Sequence, residues 1–76
     1  MNVRTYRVVL KKEPEGGYTV VVLALPGCIT YGENVDEAIT MAEEAIELYI
    51  EELQSRNEDI PDDNNTFEYS IQLKTA

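Results

Sequence analysis

Three glutamates spaced four residues apart, Glu43, Glu47 and Glu51, with Glu44 beside the first, form the densest array of chemically capable side chains in the sequence. On a helix this spacing brings carboxylates onto one face. Such a face has two chemical uses. Paired carboxylates can hold a divalent cation for metal-assisted hydrolysis, as in two-metal nucleases. A fixed negative surface can also steer and hold a basic partner. Against both stands the plain reading, a solvated helix face. The chain has no histidine, which removes Ser-His-Asp and Cys-His catalysis and the common zinc sites. Its single cysteine, Cys28, has an apolar and acidic neighbourhood that supplies nothing to lower a thiol pKa. It reads as a small buried hydrophobe. Gly16-Gly17 lacks the Lys-Ser/Thr and the following helix of a phosphate loop, and the acids at 58–63 lack EF-hand spacing. No cofactor and no metal is expected.

The layout of charge narrows the choice. The net charge is −9, yet four of the six bases (Arg4, Arg7, Lys11, Lys12) fall in the first twelve residues. From Glu33 to Asp63 there are twelve acids and one base, Arg56. This surface repels phosphate, so direct binding of nucleic acid is not expected. It suits a basic partner, and Glu43, Glu44, Glu47, Glu51, Asp62 and Asp63 are the candidate contacts. Like charges four apart on a helix disfavour it by a few tenths of a kcal/mol per pair. No Lys or Arg within the helix relieves them, which hints that the face has a use. One cysteine allows no internal disulfide and suits a reducing cytoplasm. No apolar run is long enough to span a membrane.

The elements that must position these groups follow from pattern. Val3 to Lys11 is rich in β-branched residues and predicts a strand, with Tyr6, Val8 and Leu10 on one face. Glu13 to Gly17 is a hairpin connection, and Tyr18 to Leu25 is an apolar central strand. Pro26-Gly27 predicts a type II turn into a short strand, Cys28 to Tyr31, which Gly32 ends. A helix from Asn34 to Arg56 opens on an N-cap, Asn34, with Glu37 completing a capping box. Val35, Ala38, Ile39, Ala42, Ala45, Ile46, Tyr49, Ile50 and Leu53 form its apolar stripe. Pro61 bars a return to helix after it. Phe67, Tyr69, Ile71 and Leu73 then alternate with polar residues, the cleanest period-two signal in the chain, and predict a fourth strand with one face buried. The five tyrosines read as core residues with wet hydroxyls. The expected order is β-β-β-α-β in a single α+β domain spanning residues 1–76, the helix packed on an antiparallel-rich sheet.

Several short runs, taken together, resemble the N-terminal domain of HicB-type antitoxins and their small stand-alone relatives. They are Gly16-Gly17-Tyr18-Thr19-Val20, Leu25-Pro26-Gly27-Cys28, Thr30-Tyr31-Gly32-Glu33, Asp36-Glu37-Ala38 and Ile60-Pro61, in this order and spacing. The resemblance covers residues from about Tyr6 to Asp63. It implies a partial ribonuclease H-like fold. It also implies a partner, a small basic HicA-type toxin that cleaves mRNA and whose active site the antitoxin covers. Gly17, Pro26, Gly27, Cys28, Gly32, Asn34, Glu37 and Pro61 would then serve the scaffold. The chain departs from the family where Val22-Leu23-Ala24 replaces a polar approach to Leu25, where Asn57 stands for a frequent glycine, and where Asp62-Asp63 replaces a frequent second proline. The helix-turn-helix or ribbon-helix-helix module common in longer HicB proteins has no counterpart before Ala76, so autoregulation through DNA is not expected.

Two other functions compete with a toxin-binding role. One is an oligomeric adaptor without a toxin. The other is a metal-dependent nuclease, which needs carboxylates converging from strands as well as a helix; only Glu68 lies in a predicted strand, on its wet face. In every version a small sheet with exposed edges favours a homodimer or higher homo-oligomer.

Overall fold

A computed structural model describes residues 3–75. Strands β1 (Val8–Lys12), β2 (Tyr18–Val22) and β3 (Ile29–Gly32) form one antiparallel sheet in the order β1-β2-β3, and helix α1 (Val35–Ser55) covers one of its faces. The fold is α+β, with β-β-β-α order among the described residues.

Local chemistry builds the connections. Gly16 and Gly17 both hold positive φ (106° and 80°), and the hairpin closes through Gly16 N to Glu13 O and Glu13 N to Gly17 O, each 3.0 Å. A second constraint fixes Gly17: a Cβ there would fall on the Tyr31 phenol, whose hydroxyl donates to Gly16 O at 3.1 Å. Pro26-Gly27 makes the expected turn, with Gly27 at φ 80° and Cys28 N donating to Leu25 O at 2.9 Å.

Both ends of α1 are capped. The Asn34 side chain accepts from Glu37 N at 2.8 Å, and Glu37 reaches back to accept from Glu33 N at 2.9 Å. Glu37 thus satisfies the residue before the cap, whereas a standard capping box returns to the cap residue itself. At the other end Asn57 takes the left-handed conformation (φ 55°). Asn57 N bonds Gln54 O at 3.1 Å and Glu58 N bonds Leu53 O at 2.9 Å, a Schellman closure. We expect Asn34→Ala to lower stability by about 1 kcal/mol, read as a shift in urea midpoint. No measurable shift would mean the cap is redundant.

The core lies between the sheet and the helix. Val20, Ala38 and Ala42 form one buried cluster; Val22, Leu25 and Cys28 form another under Ala45, Ile46 and Tyr49. The helix axis runs over β2 and β3, so the helix-facing residues of β1, Val8 and Leu10, stay half-buried while Val20 and Val22 are fully covered. Gly32 lets the first turn of α1 sit directly on β3, because any Cβ there would meet the backbone of Ala38.

Three expectations need correction. The fourth strand is not formed: residues 66–75 have no regular secondary structure, and Phe67, Tyr69, Ile71 and Leu73 are all strongly exposed. Alternation states which face of a segment is apolar, but a strand also needs an edge to bond to, and beyond the Thr66 N to Asp63 O turn bond this segment makes no backbone bond among the described residues. Second, β1 starts at Val8, five residues later than the composition suggests: β2 ends at Val22, and ahead of Val8 one bond remains, Leu23 N to Arg7 O at 3.3 Å. Third, Val35 and Ile39, placed on the buried stripe, are each 44% exposed, since the sheet is too narrow to cover the whole stripe.

Candidate functional site

Helix α1 is the element that positions the acidic face. Its small residues Ala38 and Ala42 seat it close to the sheet, which turns Glu43, Glu44, Glu47 and Glu51 to solvent. With a rise of about 1.5 Å per residue, Glu43 to Glu51 covers roughly 12 Å of helix. Three ion pairs exist among the described residues, and none engages these four glutamates. Arg56, the one base of the acidic half, is shared between Glu52 (3.4 Å) and Glu58 (3.3 Å). The face therefore keeps its charge unneutralised.

Asp62 is exposed, but Asp63 is not part of that surface. Its carboxylate turns inward to accept from Arg7 Nε at 2.5 Å, and only 11% of its side chain is exposed. Beside it, Tyr6 Oη donates to Pro61 O at 2.5 Å. These two links tie the loop after α1 to the residues just ahead of β1. Pro61 thus supplies an anchoring carbonyl, well after the helix has closed at Asn57. Neither link is legible in local pattern, because the partners lie 55 and 56 residues apart.

Three of the five tyrosines, read as core residues with wet hydroxyls, instead donate to loop carbonyls: Tyr6 to Pro61, Tyr31 to Gly16, and Tyr49 to Pro26 at 2.8 Å. Tyr69, expected in a core, is exposed. Burial pushes the Tyr6 phenol above its ordinary value; Arg4 pulls it down, and Asp62 and Asp63 reinforce the rise. The folded state therefore favours the neutral phenol, which is also the form that can donate to Pro61. The stabilisation is intact below about pH 10 and is lost as pH climbs through the raised value. We expect an alkaline loss of stability that Tyr6→Phe reduces, the remainder coming from the buried Cys28 thiol, at a neutral-pH penalty of about 1 kcal/mol for the missing bond. Identical alkaline profiles for the two proteins would refute the link.

Cys28 is buried, and burial raises its thiol pKa. It packs against Val22 and Leu25 as a hydrophobe, and the raised pKa disfavours its thiolate. The described residues bring no three His, Cys, Asp or Glu side chains together in a metal-holding group. Among them, no helix is long and apolar enough to cross a membrane.

The described residues thus build a small antiparallel sheet covered on one side by a capped, acidic helix. Residues 6–74 match the HicB_like antitoxin of bacterial toxin-antitoxin systems, and the chain belongs to that family. It is 49% identical over 59 residues to a UPF0150 protein of Thermoplasma acidophilum, covering 78% of this chain and 86% of that protein. It is 45% identical over 56 residues to one from Synechocystis, covering 74% and 71%. A UPF0150 protein of Archaeoglobus fulgidus shares 44% identity over 46 residues, covering 60% and 67%.

Proposed function

We propose that this protein is an antitoxin whose α1 face, Glu43, Glu44, Glu47 and Glu51, together with Asp62, binds a small basic HicA-type ribonuclease in the cytoplasm and covers its active site. Family membership gives the antitoxin role in general. The observation that carries the finer reading is the unneutralised acidic face on a capped, well-seated helix. A negative surface of this kind accelerates encounter with a basic protein and opposes RNA, which suits an inhibitor that must displace a ribonuclease from its substrate. The protein itself acts by binding and not by catalysis. The scaffold is a ribonuclease H-like order lacking its fourth strand within the chain.

Co-expression with the product of the neighbouring gene and affinity capture tests this reading. A small basic protein should be recovered, its ribonuclease activity silenced in the complex, and association should slow steeply between 50 and 500 mM salt. Recovery of no basic partner, or of one whose binding ignores salt, would count against it.

A further inference from the structure

The segment after the Asp63–Thr66 turn is built like a strand and has no strand to join. Phe67, Tyr69, Ile71 and Leu73 alternate with Glu68, Ser70, Gln72 and Lys74, the pattern of a half-buried strand. Yet these four apolar side chains are 74–89% exposed. The turn closes through Thr66 N to Asp63 O at 3.2 Å, and beyond it the segment stands clear of its own sheet. The molecule is accordingly drawn out, 50 × 28 × 20 Å with a radius of gyration of 14.6 Å, against about 11 Å for a compact chain of this length.

The sheet has a matching vacancy. β1 is an edge strand with β2 as its one neighbour, so half of its backbone groups have no ladder partner. Its helix-facing residues, Val8 and Leu10, are only half-covered, because α1 lies over the other two strands. A strand laid along β1 with four apolar residues turned toward the helix would complete both the ladder and the core. Charge selects the occupant. The β1 edge and its approach hold Arg4, Arg7, Lys11 and Lys12, the one basic region of an acidic protein. Arg7 is already paired with Asp63 of its own copy, so Lys11 and Lys12 are the bases on the edge itself, and the unbonded segment carries Glu68, followed by Lys74. A basic toxin would be repelled from this edge, whereas a second copy, a chain of net charge −9, is not, and its segment brings Glu68 to it.

We propose that two copies exchange the segment Phe67–Leu73, each segment forming a fourth strand on the β1 edge of the other copy. Every copy donates one strand and accepts one, so the assembly closes at two with twofold symmetry. The tethers Arg7–Asp63 and Tyr6–Pro61 fix where the exchanged segment leaves its own body, so the hinge lies within the short run between Asp63 and Phe67. The exchange does not depend on the antitoxin reading.

Light scattering on the full chain, combined with isotope-filtered NOE spectra of a mixed labelled and unlabelled sample, tests the exchange. A dimer at micromolar concentration is expected, with NOEs from Ile71 of one copy to Val8 or Leu10 of the other. Ile71→Pro, which cannot donate to a ladder, should weaken the dimer at least tenfold while leaving the helical circular dichroism unchanged. The proposal is overturned by a monomer at millimolar concentration, by NOEs from 67–73 to β1 confined to one copy, by a dimer indifferent to Ile71→Pro, or by ordering of the segment only when a basic toxin is added.

Discussion

Replacing Gly32 with alanine is expected to remove most of the protein's stability. The position lies in β3 beneath the first turn of α1, and a Cβ placed there falls on the backbone N and Cα of Ala38 and close to its Cβ. Ala38 cannot move aside: it is fully buried, and its N–H makes the first helical bond to Asn34 O at 2.9 Å. Relief requires lifting the helix from the sheet, which opens the cluster of Val20, Ala38 and Ala42. Overpacking against backbone belongs at the upper end of its usual range, about 3 kcal/mol. A core of this size supplies about 3–5 kcal/mol in total. In a domain of this length that loss is about 12 °C or more in Tm.

Gly27→Ala is the internal comparison. Gly27 has open space around it but a φ of 80°, so only backbone strain of about 1–2 kcal/mol applies. Thermal melts should rank wild type above Gly27→Ala above Gly32→Ala. A Gly32→Ala protein within 0.5 kcal/mol of wild type would show that the helix is not held at this distance.

How much of this was legible in the sequence depends on the range of each interaction. The Pro26-Gly27 turn, the Asn34 cap and the left-handed Asn57 are decided by neighbours within a few residues, and residue type alone reveals them. The three tyrosine ties and the Arg7–Asp63 pair join residues 15 to 56 apart, and no local pattern encodes them. Gly32 was visible as a strand break, yet its reason is the approach of Ala38, a tertiary fact. The segment 67–73 marks the sharpest boundary. Its period-two pattern reports correctly that one face wants burial, but it carries no information on which edge, or whose, will provide it. In the acidic array the exposure of Glu43, Glu44, Glu47 and Glu51 followed from helical spacing. Asp63 lies apart from that face, because sequence gives its charge and not its pairing with Arg7.

Changing Glu43, Glu44, Glu47 and Glu51 together to glutamine should move stability and binding in opposite directions. Glutamine keeps length, helix propensity and exposure, so the substitution isolates charge. Within the helix it removes the repulsions between Glu43 and Glu47 and between Glu47 and Glu51, about 0.2–0.5 kcal/mol each. No ion pair is lost, since none of the four has a basic partner among the described residues. The variant should therefore melt a few degrees higher than wild type, the gain shrinking in high salt. Association with a basic toxin should meanwhile slow by about tenfold to a hundredfold at 50 mM salt, and by far less at 500 mM, because steering acts on encounter and is screened. Stopped-flow association at the two salt concentrations, together with thermal melts, gives both readings on one protein. A more stable variant with unchanged association would separate the two effects, leaving the acidic face a solvated surface and moving the toxin contact elsewhere. If the variant is both more stable and slower to bind, the sequence keeps unfavourable glutamates on α1 because their repulsion is the source of the attraction that a basic partner feels.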